Sequence, residues 1–228
     1  MASNKEFRSV WTEPEKPRRR IPNLDRERIV RTAMEILDAE GVDGLRMRSL
    51  AKRLGVAPMT LYWYVETKDD LLEILVDEVF GEAIVEPRRD DWRNALEDLA
   101  VGLFTAVLRH SWVVGLIGAR PPVGPNAARH MDLVIDVCVN AGFDAKRRDA
   151  AVSALYYYVL GAALVEGTWV ASVRASGHLP AEAGKRLAAV MTTVAAKAGS
   201  SPATLEYLRA GAEEDTQRRF IRGLRCLL

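Results

Sequence analysis

The run Arg46-Met47-Arg48-Ser49-Leu50-Ala51-Lys52-Arg53-Leu54-Gly55-Val56-Ala57-Pro58-Met59-Thr60-Leu61-Tyr62-Trp63-Tyr64-Val65 brings together cations, hydroxyls and small residues at spacings suited to gripping a polyanion. Arg46, Arg48, Lys52, Arg53 and Lys68 lie within 23 residues, in a chain whose net charge is only +1. Two short helices, over 48–54 and 58–64, joined by Gly55-Val56-Ala57, describe a helix-turn-helix. Ala51 is small where such helices cross, and Gly55 can take the positive φ that ends the first helix. Leu50, Leu54, Val56, Leu61 and Val65 supply a core beneath the pair. Pro58, Met59, Thr60, Tyr62 and Tyr64 are left around the outer side of the second helix. A helix of this diameter fits the major groove of DNA and reaches base edges with its N-terminal residues. Tyr and Thr hydroxyls bond phosphate oxygens, and Thr60 and Met59 can pack on thymine methyls. The plain alternative is a packed helical hairpin with solvated arginines.

Other chemistries lack their residues. The chain has 228 residues, 3 histidines (His110, His130, His178) and 2 cysteines (Cys138, Cys226). No H-E-x-x-H, C-x-x-C or phosphate-cradling Gly-rich loop occurs among them, and no nucleophile–base pair is evident. The expectation is of no enzyme, no metal and no cofactor. Apolar residues at 49% and charged residues at 28% describe an ordinary globular protein. Residues 1–20 are polar and no apolar stretch follows, which excludes a secretory signal. Ala150–Val165 carries no charge and only Glu166 interrupts the stretch to Val173, approaching the length of a membrane span. Its small residues and Glu166 point instead to a helix buried in the protein or at a subunit interface, with no membrane.

The elements that must position the candidate residues follow from periodicity. Pro14, Pro17 and Pro22 among charges make residues 1–23 an extended, flexible basic arm. Lys16 and Arg18-Arg19-Arg20 within it suit minor-groove entry or a solubilising tail. A helix starts with Asp25 as N-cap and stops at Gly41. Thr67-Lys68-Asp69-Asp70 fits a capping box that opens a helix running to Val85, with Pro87 beyond. Further helices are expected over 91–109, 112–118, 126–141, 145–174, 180–198 and 202–225, with Asp90, Asp144 and Ser201 as caps. No strand or hairpin signal appears. The fold class is therefore all-α.

Residues 24–85 resemble the DNA-binding domain of the tetracycline-repressor (TetR) family of bacterial transcription regulators. The resemblance is carried by Ala39-Glu40-Gly41, Gly44-Leu45, Leu50-Ala51, Leu54-Gly55-Val56, Thr60-Leu61-Tyr62-Trp63-Tyr64-Val65, and Lys68 followed by Leu71-Leu72. Asp91-Trp92, Gly118-Ala119-Arg120-Pro121 and Leu160-Gly161-Ala162 extend it, more thinly, to residue 175 and towards the tetracycline repressor's own subgroup. It implies a three-helix helix-turn-helix domain at 24–67, a connecting helix at 68–85, and an effector-binding and dimerisation domain at 86–228. It places Arg48, Pro58, Met59, Thr60, Tyr62 and Tyr64 at DNA, with Lys68 on a phosphate; Arg46 joins the DNA-binding set by its charge beside them. It implies a cytoplasmic homodimer on a palindromic operator, whose subunits pair through helices 145–174 and 202–225.

The same resemblance implies a small-molecule effector that releases DNA. The subgroup's metal-binding and drug-contacting histidines are replaced by Leu116 and Ile84, so neither Mg²⁺ nor tetracycline is expected. Phe104, Trp112, Leu116, Met131, Cys138, Tyr157 and Trp169 form the candidate effector pocket, a lining suited to a bulky hydrophobic molecule. Core packing competes with that role for each of them. Of Tyr156-Tyr157-Tyr158, which point ~100° apart on a helix, one is expected in the core and one at the dimer partner. Two other readings stay open: a DNA-binding regulator without an effector, and a helical small-molecule carrier or enzyme.

Overall fold

The computed structural model describes residues 8–13, 24–88, 90–119, 121–176, 180–210 and 215–228. Eleven helices account for the regular structure among them. α1 (Arg26–Gly44), α2 (Met47–Leu54) and α3 (Pro58–Leu61) form a small head. α4 (Lys68–Glu82) leads out of it into a body of α5 (Trp92–Arg109), α6 (Val113–Ala119), α7 (Pro125–Asn140) and α8 (Ala145–Ser176). α9 (Pro180–Lys197), α10 (Pro202–Ala210) and α11 (Thr216–Leu227) complete the chain.

Local chemistry sets the helix ends. Asp25 caps α1 by accepting from Arg28 N. Thr67 Oγ1 accepts from Asp70 N at 3.0 Å and Asp70 Oδ2 accepts from Thr67 N at 3.1 Å, the reciprocal pair of a capping box. Asp144 caps α8 through Arg147 N. α5 is capped by Asp91 rather than Asp90, whose carboxylate instead receives Asp91 N and Asn94 Nδ2. The helix expected over 202–225 is two helices, α10 and α11, the second starting afresh at the Asp215 cap.

One core runs through head and body. Ile29, Ala33, Ile36 and Leu37 of α1 close over Leu50, Leu61, Leu71 and Leu75. Phe80 of α4 continues it to Leu99, Leu103 and Phe104 of α5, and Phe104 stacks on Phe220 of α11 at 3.9 Å between ring centroids. α8 packs on α5, α7 and α11 with Leu155, Val159 and Ala163 buried. Among the described residues, Ala145–Trp169 is the one stretch long and apolar enough to cross a membrane, with a mean hydropathy of 1.3. Its Glu166, buried, takes Arg219 and Thr216 of α11.

The arm expected at the N-terminus is not free along its length. Residues 8–13 form a turn seated on α4: Ser9 Oγ and Val10 N both donate to the Glu73 carboxylate, and Arg8 pairs with Glu13 and Glu66. Arg26 lies over the Trp11 ring. Lys16 and Arg18–Arg20 lie outside the described residues.

Candidate nucleic-acid interface and effector cleft

Gly55 ends α2 at φ +73°, and the turn it allows lets Val56 N reach Ala51 O at 3.0 Å. A residue with a Cβ would be strained there. Ala51 and Leu50 are completely buried, and Leu61 is 1% exposed beneath them, so the hairpin is held shut from below. Its outer side is then fixed by period. Pro58, Met59, Tyr62 and Trp63 face outward, Met59 at 70% and Trp63 at 56% exposure, with Thr60 half-buried beside them. Arg46 and Arg48 stand exposed at the start of α2.

Two of the residues expected at DNA are partly committed elsewhere. Tyr64 is half-buried and its hydroxyl donates to Leu24 O, just ahead of α1, at 2.9 Å; α3 is helical only over 58–61, and Tyr64 lies in the turn that follows it. Lys68 Nζ donates to Val42 O at 3.0 Å. An ammonium has three donors, so two are left for a phosphate. Trp63, left out of the expected contact set, is more exposed than Tyr62, at 56% against 44%; its place beside Tyr62 in the turn that follows α3 was the available signal.

The seven candidate effector residues differ in burial among the described residues. Phe104, Trp112 and Cys138 are core residues. Burial pushes the Cys138 thiol up, as it does any group charged only when deprotonated. Met131 and Tyr157 are exposed, and Trp169 is half-buried. Of the tyrosine triplet, Tyr156 bonds buried His130 Nδ1 at 2.8 Å and Tyr158 donates to Phe220 O at 2.8 Å, whereas Tyr157 points to solvent at 76% exposure. Burial lowers the His130 pKa, which keeps the ring neutral.

Leu116 lines a cleft that is open to solvent. One wall is α4, through Asp69, Leu72, Glu73, Val76 and Asp77; the other is Leu116 with Pro121–Gly124. At its floor Asp77, 2% exposed, accepts from Asn126 N at 3.2 Å and Ala127 N at 2.9 Å, fastening α4 to α7. A second tie joins head to body. Asp38 Oδ1 of α1 lies 2.7 Å from His110 Nδ1 and accepts from Trp112 Nε1 at 2.8 Å. His110 Nε2 reaches Glu82 of α4 at 3.2 Å, and Arg109 pairs with the same carboxylate at 2.7 Å.

A helix-turn-helix head with an exposed reading face, carried on a helical body, defines a class of DNA-binding regulators. Residues 29–75 match the family described as bacterial regulatory proteins of the tetR family, and residues 86–228 match its tetracyclin repressor-like C-terminal domain. The chain belongs to the TetR family of transcription regulators. An HTH-type transcriptional regulator of Saccharopolyspora erythraea is 38% identical over 162 residues, 71% of this chain and 69% of that protein. The structure of Streptomyces coelicolor ActR in complex with actinorhodin aligns with TM-score 0.71 and 28% identity, covering 90% of this chain and 94% of that one. BioQ with its double-stranded DNA operator aligns with TM-score 0.57 and 28% identity, covering 64% of this chain and 88% of that one.

Proposed function

We propose that the chain is a cytoplasmic homodimeric repressor that holds a palindromic operator through two copies of the 58–64 face and releases it when a small molecule occupies the body. The observation that carries this reading is the face itself: Met59, Tyr62 and Trp63 exposed above a fully packed hairpin, with Arg46 and Arg48 beside them. Large apolar groups left in water on a rigid support mark a binding surface. Arg48, Pro58, Met59, Thr60 and Tyr62 reach base edges, while Arg46 and the spare Lys68 donors take phosphates. The BioQ relative solved on DNA and the ActR relative solved with actinorhodin support both halves of the reading.

The dimer rests on α8. Tyr157, Gly161, Leu164, Val165 and Thr168 form an exposed stripe at helical spacing on the side away from α5. A second copy of that stripe covers it and gives the two-fold symmetry that a palindrome needs. Release is then a population shift: the ligand favours a spacing of the heads that no longer matches half-sites ~34–36 Å apart. The Asp77 and Asp38 ties transmit that change.

Selection of bound duplexes from a random library, with wild type and Tyr62→Ala, tests the reading. An enriched palindrome that the variant fails to enrich supports it. Salt-sensitive binding without a consensus, equal in both proteins, overturns it.

A further inference from the structure

We propose that residues 8–13 are a clasp that positions the reading head: seated on Glu73, they hold the 62–66 turn and the start of α4 against the entry of α1. The inference rests on the repressor reading above only for its consequence at DNA.

Six residues have no fold of their own, and this turn closes on a single side chain. Trp11 N donates to Ser9 Oγ at 3.2 Å, and Thr12 donates to Ser9 O through its N at 3.1 Å and its hydroxyl at 3.0 Å. The Ser9 hydroxyl has one proton to give, and it gives it to Glu73 Oε1. Val10 N donates to the other oxygen of the same carboxylate at 3.2 Å. Ser9 is 3% exposed, and Val10 and Trp11 pack against the core. The side chain that closes the turn is therefore also the one that docks it. Ordering a short segment costs conformational entropy at every residue. Without a carboxylate to receive both donors, the turn leaves its seat.

The seat lies where three segments of the head meet. Arg8 bonds Glu66, in the connection between α3 and α4, at 3.2 Å and stands 3.8 Å from Asp70. Asp70 belongs to the box that caps α4. Ser9 and Val10 take Glu73, one turn further along α4. Trp11 lies beneath Arg26, the first residue of α1, at 5.0 Å. Tyr64 bonds Leu24 O two residues ahead of Arg26, so the entry of α1 is held by the reading turn as well as by the clasp. A four-residue helix has too few internal bonds to fix its own direction. The direction of α3 is set by the segments it runs into, and the clasp touches all three of these.

Glu73→Ala and Glu73→Gln test the clasp in the full chain, because both remove the same charge and only one removes the seat. Glutamine accepts from Val10 N through its carbonyl oxygen, and its amide N–H donates to a Ser9 hydroxyl turned to accept. Alanine strands both donors, at a half-buried helix position where it is the strongest helix former. Hydrogen exchange reads the outcome without DNA. In Glu73→Ala, protection should fall about tenfold or more at the amides of residues 10–12. It should fall likewise at Tyr64 and Val65, whose N–H groups donate to Leu61 O at 2.9 and 3.0 Å. Glu73→Gln should keep both sets within about threefold of wild type. Protection kept at residues 10–12 in Glu73→Ala overturns the seat, and protection lost there but kept at Tyr64 and Val65 overturns the positioning. Titration with the selected operator and with a shuffled duplex reads the consequence. Glu73→Ala should bind the operator about five- to tenfold more weakly than Glu73→Gln, with the shuffled duplex held equally to within about twofold. Equal operator affinity in the two variants overturns the consequence at DNA. A wild type that selects no operator refutes the repressor reading instead, and the exchange result still decides the clasp.

Discussion

Asp77 on α4 caps α7 from outside that helix, its carboxylate accepting Ala127 N at 2.9 Å and Asn126 N at 3.2 Å, while Asn126 Nδ2 donates back to Asp77 O at 3.2 Å. The local N-cap of α7 is Gly124, which has no side chain to offer. The first N–H groups of the helix would otherwise be orphaned in a buried place. An anion at that end also meets the favourable pole of the helix dipole. The helix that leaves the reading head is thus held to the body by bonds that only one position of α4 allows.

Gly124 has φ −74°, which alanine adopts freely, and a methyl group there would meet the Asp77 side chain, its carboxyl at 2.2 Å and its Cβ at 2.6 Å. Gly124→Ala should cost about 1–3 kcal/mol by urea unfolding. In an Asp77→Gly background, which removes the Cβ at 2.6 Å as well as the carboxyl, the same change should cost less than about 0.5 kcal/mol, a strongly non-additive cycle. Additive losses would show that the collision is not the cause.

Burial raises the Asp77 pKa above its ordinary 3.8, more than the Ala127 and Asn126 bonds lower it. For a carboxyl raised on folding, the folded state binds more protons through the window between the unfolded and folded values. Its contribution to stability is therefore complete below 3.8 and is lost as pH rises through the folded value. Glu97 and Asp98, held low by their bonds to Arg225 and Arg88, have the opposite sign. They are common to wild type and Asp77→Asn, so the difference between the two proteins isolates Asp77. Wild-type stability relative to Asp77→Asn should fall as pH is raised from the acid side towards neutrality; a rising difference would mean that the caps outweigh the burial.

What the sequence made legible is local. The Asp25 cap, the Thr67–Asp70 box and the Gly55 turn each close over two to five residues, within reach of the side chain concerned. The Asp77–Ala127 and Asp38–His110 ties join positions far apart in the chain, where any carboxylate looks like a solvated surface residue until the helices are packed. Residue type is a weaker guide in the body. Phe104 and Trp112, candidates as aromatics, are buried among the core residues, while Leu116, an ordinary leucine in the sequence, lines an open cleft with Pro121 and Pro122. Tyr64 fell on the outer arc by period, but the helix ends three residues earlier and the arc no longer applies.

Tyr62 and Tyr64, two residues apart, should therefore behave as different residues. Tyr64→Phe removes the bond to Leu24 O and should cost about 1 kcal/mol of stability, with operator affinity kept within about twofold of wild type. Tyr62→Ala should leave stability within about 0.5 kcal/mol and weaken operator binding about tenfold or more. Urea unfolding and operator titration on both variants decide it. A Tyr64→Phe protein that is fully stable but loses operator would return that hydroxyl to the DNA contact set.

Asp38 joins the head to the body through two side chains of the turn after α5, His110 and Trp112, and its replacement separates connection from charge. Asp38→Ala leaves Trp112 Nε1 and His110 Nδ1 without their partner at a largely buried position, while His110 Nε2 keeps Glu82. Stranded donors of that kind cost about 1–3 kcal/mol. Asp38→Asn keeps an oxygen for Trp112 and should lose roughly half as much, by the same reasoning. Hydrogen exchange places the loss. Protection should fall in Asp38→Ala at the end of α1 and in the 110–113 turn, while the centre of α8, which shares no bond with Asp38, keeps its own. A uniform fall across the molecule would mean that Asp38 serves the common core and not the joint between head and body.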